Sequence, residues 1–291
     1  MAESNGSGRS PLRLILLFLF VIVLPLALGL YAAPRIIAKP KVGIIRLSYD
    51  ITSDTAYLLS EQLKQARNDG SVKSVVLILN SPGGSAAYSE ELYLDVLHTR
   101  EQMPVVASID LLAASGAYYM AAAANEIYAK PTSSVGSVGV IAYLPGEVFI
   151  EEELLTTGPY KAFGGTRDGS VRQIERAKFT FLESVRIGRG EKLNIKLEDL
   201  SRAEIYTGVQ AWEYGLIDDL LSTDEAIARA AEMAGLKDYD VVEMYPLTFG
   251  EDANYFFGEY QPEAINVEKL WASPVNWSAG LYYRYIVPVE H

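Results

Sequence analysis

Cysteine is absent from the chain. That one absence removes disulfides, thiolate metal sites, a thiol nucleophile and a lipid-bearing cysteine. Histidine is nearly absent: only His98 and His291 occur, too few for a His-rich zinc or iron site. Positive charge is in deficit, with 25 Lys and Arg against 37 Asp and Glu. The net charge of −12 repels phosphate and argues against a nucleic-acid partner. Neither an internal repeat nor a low-complexity tract is visible.

What the chain does have begins with one long uncharged run, the 20 residues Leu14 to Ala33. As a helix it spans about 30 Å, one bilayer core. The expected layout is a polar, disordered tail over 1–11, a transmembrane signal-anchor helix over 12–33 and a proline-containing linker over 34–41. A cleaved signal peptide is the competing reading. Arg9 and Arg13 precede the run, and Arg35, Lys39 and Lys41 follow it, so charge asymmetry does not orient the span.

From residue 42 to 245, apolar runs alternate with amphipathic stretches. "KVGIIRLS", "VKSVVLIL", "PVVASID" and "EIYAKP" read as strands apolar enough to be covered on both faces. Helices are expected over "SDTAYLLSEQLKQARNDG", with Ser53 or Asp54 as N-cap, over "SAAYSEELYLDVLHTREQM" and over "AASGAYYMAAAAN". Further on, "SVRQIERAKFTFLESVRIGRGEKL", "EDLSRAEIYTGVQAWEYGLIDDL" and "TDEAIARAAEMAG" read as helical, and "YDVVEMYP" as a last strand. Strand–helix alternation implies a parallel sheet covered by helices. Residues 246–291 form an aromatic-rich C-terminal extension, expected to pack on the domain or on another copy.

Three pieces carry chemistry. In "LNSPGGSAAYSEEL" a buried strand ends in a Pro-Gly-Gly turn before a helix, and bare amides of Gly83 and Gly84 there suit a developing oxyanion. An ordinary strand-to-helix turn has the same sequence. In "AASGAYYMAAAAN", Ser115 stands among small residues at a strand-to-helix junction, which fits either an exposed nucleophile or a plain N-cap. In "TTGPYKAFGGTRDGS", Lys161 lies in a Gly- and Pro-rich loop beside Tyr160 and Phe163. A lysine acts as a base only where burial strips water from its ammonium, and the bland reading is a solvated loop lysine. His98 reads as a residue of a helix C-terminus, and Glu151 to Glu153 as a solvated helix start.

In this order, "LILNSPGGS", "AASGAYYMAAAAN", "SSVGSVGVI" and "TTGPYKAFGG" resemble the signal peptide peptidase A family in its short form, over about residues 42 to 245. The family commonly has a second glycine where Ala117 stands and an acidic residue where Ala162 stands. The resemblance implies an α/β fold of the Clp protease/crotonase type, repeated ββα units with buried parallel strands, behind one N-terminal transmembrane helix. It implies a serine endopeptidase with a Ser–Lys dyad: Ser115 as nucleophile, Lys161 as base, and Gly83 and Gly84 as the backbone oxyanion hole. It implies no cofactor and no metal. It also implies peptide substrates such as apolar signal-peptide remnants, and a ring-like homo-oligomer in which Ser115 of one chain can face Lys161 of the next. The expected location is the cell membrane, single-pass, with the catalytic domain on the extracytoplasmic side. Rival readings are a membrane peptidase that cuts one specific partner, a crotonase-type acyl-CoA enzyme using Glu90 or Glu91, and an inactive scaffold.

Overall fold

The structure is a computed structural model that describes residues 11–28, 31, 39–143, 157–158, 160–161, 164–250 and 280–284. It divides into two units, residues 1–40 and 41–291.

In the first unit, α1 (Pro11–Phe18) runs into a π-helical turn over Leu19–Val23, and residues 24–28 return to α-helix. Leu24 N–H donates to the carbonyl of Leu19, five residues back. Pro25 has no N–H for the carbonyl of Val21, and the helix widens just before it. Of the transmembrane helix expected over 12–33, residues 29, 30, 32 and 33 lie outside the described residues. Among the described residues no helix is long and apolar enough to cross a membrane.

The second unit is mixed α/β, with a mainly parallel sheet as expected. β1 (Lys41–Leu47), α2 (Ser53–Asn68), β2 (Val72–Ser81), β3 (Gly83–Ser85), α3 (Ala86–Arg100), β4 (Val105–Ala114), α4 (Gly116–Ala121) and β5 (Glu126–Ala129) follow in order. Then come β6 (Ser134–Gly136), β7 (Ile141–Tyr143), α5 (Arg167–Arg189), α6 (Leu197–Leu200), β8 (Ile205–Thr207), α7 (Gly208–Glu213) and β9 (Asp219–Leu220). α8 (Thr223–Met233), β10 (Asp240–Glu243), α9 (Met244–Phe249) and β11 (Gly280–Arg284) follow, and a 3-10 turn over Gly190–Lys192 lies after α5. The main sheet runs β10–β1–β2–β4–β5–β9 with every pairing parallel, and β6 joins β4 while β8 closes antiparallel on β6. A second, antiparallel sheet has the order β3–β11–β7.

The uniformly apolar strands reflect cover on both faces. Val75, Leu77 and Leu79 of β2 enter the core with α2, α3 and α4, while Val76 and Ile78 meet Ala226 and Ala230 of α8 on the other face. Each such side chain contributes about 1.5–3 kcal/mol on burial. α2 is capped by Thr52, not by Ser53 or Asp54: Thr52 and Thr55 each accept the other's backbone N–H in a capping box. Residues 198–220, expected to be helical throughout, contain β8 and β9. The chain turns out of helix at Ala203 (φ 59°) and Gly215 (φ 71°), and adjacent segments pair with β6 and β5.

Candidate active site

The site is built at the carboxyl ends of the central strands. β2 and β4 run in register to Leu79↔Ile109, and the next pair is Ser81↔Ala113. The extra residues of β4 form a bulge that turns its end toward β6, where Ala114 pairs with Gly136. Ser115 follows directly. Its N–H donates to the carbonyl of Gly136 at 2.8 Å. Its backbone sits at φ 55°, ψ −121°, a conformation that costs a non-glycine residue about 1–3 kcal/mol and is held only by surrounding structure.

Ser115 is 0 % exposed, and its Oγ has no hydrogen-bond partner among the described residues. It occupies the position before α4, yet its side chain makes no capping bond. The plain N-cap reading therefore fails. The helix expected over 113–125 shrinks to Gly116–Ala121, because Ala113 and Ala114 belong to β4. α4 is wholly buried and firmly held. Tyr118 donates to the carbonyl of Leu216 at 2.7 Å, and the Tyr119 ring lies 4.8 Å from that of Tyr93 and 4.7 Å from that of Phe181. Burial pushes the phenols of Tyr118 and Tyr119 above their ordinary value, so both remain protonated.

The glycine turn lies against α4. Gly83 takes φ 93°, and its N–H donates to Ser81 Oγ at 3.1 Å. β3 forms a bridge with Ile51: Ile51 N–H donates to the Gly83 carbonyl and Ser85 N–H to the Ile51 carbonyl, both at 2.8 Å. A Cβ on Gly84 would stand 2.1 Å from the Ile51 carbonyl oxygen, so only glycine fits. Backbone groups of alternate residues point to opposite edges of a strand, which leaves the Gly84 amide facing away from Ile51.

Among the described residues, Lys161 makes no hydrogen bond to Ser115 Oγ. It is exposed, in a turn where its N–H donates to the Gly158 carbonyl at 3.2 Å, and its neighbour Tyr160 is 53 % exposed. Among the described residues nothing buries this lysine; Phe163, expected beside it, lies outside them, as do Glu151 to Glu153 and His291. The other nearby lysines are engaged: Lys130 with Asp110, and Lys178 with Glu175 at 2.7 Å. His98, in the last turn of α3, is within 3.5 Å of Glu101. Gly136 escaped the sequence reading, although "SSVGSVGV" is rich in the small residues that close backbone approach requires. β11 escaped it as well, although "GLYYR" is aromatic and favours a strand.

The profile of peptidase family S49 matches residues 98–237. "Putative protease slr0021" of Synechocystis sp. is 30% identical over 220 residues, covering 71% of this chain and 78% of that protein. The chain belongs to peptidase family S49, the signal peptide peptidase A family. This S49 chain is also 31% identical over 194 residues to "Protease 4" of Salmonella typhi, covering 62% of this chain and 31% of that protein. It is 29% identical over 193 residues to "Serine protease SPPA, chloroplastic" of Arabidopsis thaliana, covering 61% of this chain and 28% of that one. It thus spans about a third or less of the length of these two relatives.

Proposed function

We propose that this chain is a serine endopeptidase that works by a Ser–Lys dyad, with Ser115 as nucleophile. The observation that carries this is the buried Ser115 hydroxyl, without a hydrogen-bond partner among the described residues and held at a strained strand-to-helix junction near a glycine strand. The serine-protease names of relatives agree with it. Ser115 Oγ attacks a peptide carbonyl and passes its proton to Lys161 Nζ. The lysine then protonates the leaving amine, and water releases the acyl group. Of the two glycines, Gly84 has the amide that can turn toward an oxyanion, since that of Gly83 is engaged by Ser81.

The exposed Lys161 and the unpartnered Ser115 fit a dyad completed between neighbouring copies in a ring, each chain lending its lysine to the next. The Clp protease/crotonase arrangement of ββα units is the finer fold reading. The substrates in this reading are apolar peptides such as spent signal peptides. The exposed apolar side chains from Ile15 to Leu28 would hold the protein in a membrane, with the peptidase unit extracytoplasmic. Release of the full chain from membranes by an alkaline wash would refute that anchoring. Labelling with an active-site-directed serine reagent, followed by peptide mapping, tests the central claim: the label belongs on Ser115, and its appearance elsewhere or nowhere removes the dyad.

A further inference from the structure

A nucleophile has to meet its substrate, yet Ser115 is completely covered. Along the glycine turn runs the last described strand, β11. β11 pairs antiparallel with β3 through Ser85↔Tyr282, Gly84↔Tyr283 and Gly83↔Arg284, and with β7 on its other edge through Tyr143↔Gly280, Ala142↔Leu281 and Ile141↔Tyr282. It also lies against α4, the helix that starts immediately after Ser115. The Ile51 bridge uses the Gly83 carbonyl and the Ser85 amide on one edge of β3, so the backbone groups of Gly84 are directed to the edge that β11 occupies. Without β11, β3 and β7 would be two strand edges separated by one strand's width. Such a slot binds an extended peptide by main-chain hydrogen bonds on both sides.

We propose that residues 280–284 are a built-in occupant of this slot, an autoinhibitory strand that must leave before a peptide substrate can enter. The proposal rests on the serine-peptidase reading above. β11 takes up the Gly84 amide, which a reacting carbonyl would need. Residues 250–279 link β11 to α9, so the occupant is tethered and competes at a concentration independent of the amount of protein. A slot filled for nine-tenths of the time lowers the apparent affinity of an incoming peptide about tenfold.

The test uses the full chain and its Tyr283→Pro variant, which lacks the backbone N–H at the position paired with Gly84. Hydrolysis of an apolar peptide and labelling of Ser115 are followed in parallel, with a synthetic peptide of residues 278–287 as the added probe. The expected result is a rise in kcat/KM of about tenfold in the variant, carried by KM. The added peptide should inhibit the variant competitively and more strongly than the wild type. If Tyr283→Pro unfolds, the peptide arm decides alone: saturating peptide must inhibit the wild type competitively. Equal kcat/KM in a folded variant, or no inhibition by the peptide, overturns the inhibitory strand. In those cases Ser115 still takes the label, and the serine reading stands. No label on Ser115 in either protein overturns both.

Discussion

The backbone N–H of Ser115 donates to the carbonyl of Gly136 at 2.8 Å, and that bond fixes where the candidate nucleophile can be. It continues the β4–β6 ladder one residue past Ala114↔Gly136 and holds Ser115 at φ 55°. The hydroxyl itself takes no part in this anchoring.

Ser115→Ala should therefore abolish hydrolysis, by at least about a thousandfold, without loss of fold. Among the described residues the hydroxyl has no hydrogen bond to lose, so stability should stay within about 1 kcal/mol of the parent or rise slightly. Thermal melting and peptide hydrolysis on the same preparation check this. Residual activity within a few-fold of the parent would take Ser115 out of the mechanism.

Lys161→Ala and Lys161→Arg should both be inactive, because arginine keeps the charge but cannot release a proton at working pH. Lys161→Ala and Ser115→Ala chains mixed before assembly should regain part of the activity, since some boundaries then carry an intact serine and an intact lysine. Mixed assemblies, verified by native mass measurement, that stay inactive would put both residues in one subunit.

Gly84→Ala should impair both stability and hydrolysis. The new methyl would stand 2.1 Å from Ile51 O and 2.6 Å from Ile51 N, backbone atoms that cannot turn aside. Forced overpacking of this kind costs about 1–3 kcal/mol. Gly70→Ala is the control: no atom lies within 4 Å of its added Cβ, and a change within about 0.5 kcal/mol is expected. Equal melting temperatures for the two variants would show that β3 can move away from Ile51.

Asp218 sets an acid limit on stability. Its carboxylate accepts from Arg189 Nη1 at 2.8 Å, Lys192 Nζ at 2.5 Å and the Ile127 amide at 2.7 Å. Burial by itself would raise its pKa, but these donors outweigh burial and hold it below the ordinary 3.8. The folded value is depressed, so the contribution is present above pH 3.8 and disappears as pH falls through the lower folded value. Asp218→Asn should cost about 3–5 kcal/mol near neutrality by leaving Arg189 buried without a counter-charge. The gap between the melting temperatures of parent and variant should narrow in acid. A gap that persists undiminished to about pH 2 would mean that the carboxylate's charge is not what stabilises the fold.

Much of this protein is legible from local pattern. β1, β2, β4 and β5 announce themselves as apolar runs, because a strand covered on both faces has no polar side to show. α2, α3, α5 and α8 lie within a few residues of the helical stretches read from the sequence. Ser115 and the Gly83–Gly84 turn were readable because small residues between an apolar strand and a helix leave a backbone open to close approach.

Other features had no local signal. β8 and β9, three and two residues long, are too short to carry a period and exist only because β6 and β5 lie beside them. The chemistry-bearing residues divide in the same way. Residue type and neighbours single out Ser115, but its unbonded hydroxyl and its anchor on Gly136 are products of long-range packing. The pairing of Gly84 with residue 283 depends on which backbone edges meet in space. Main-chain hydrogen bonds are the same for every residue except proline. A sequence can therefore mark a segment as fit for a strand, and only the folded chain decides which edge it fills.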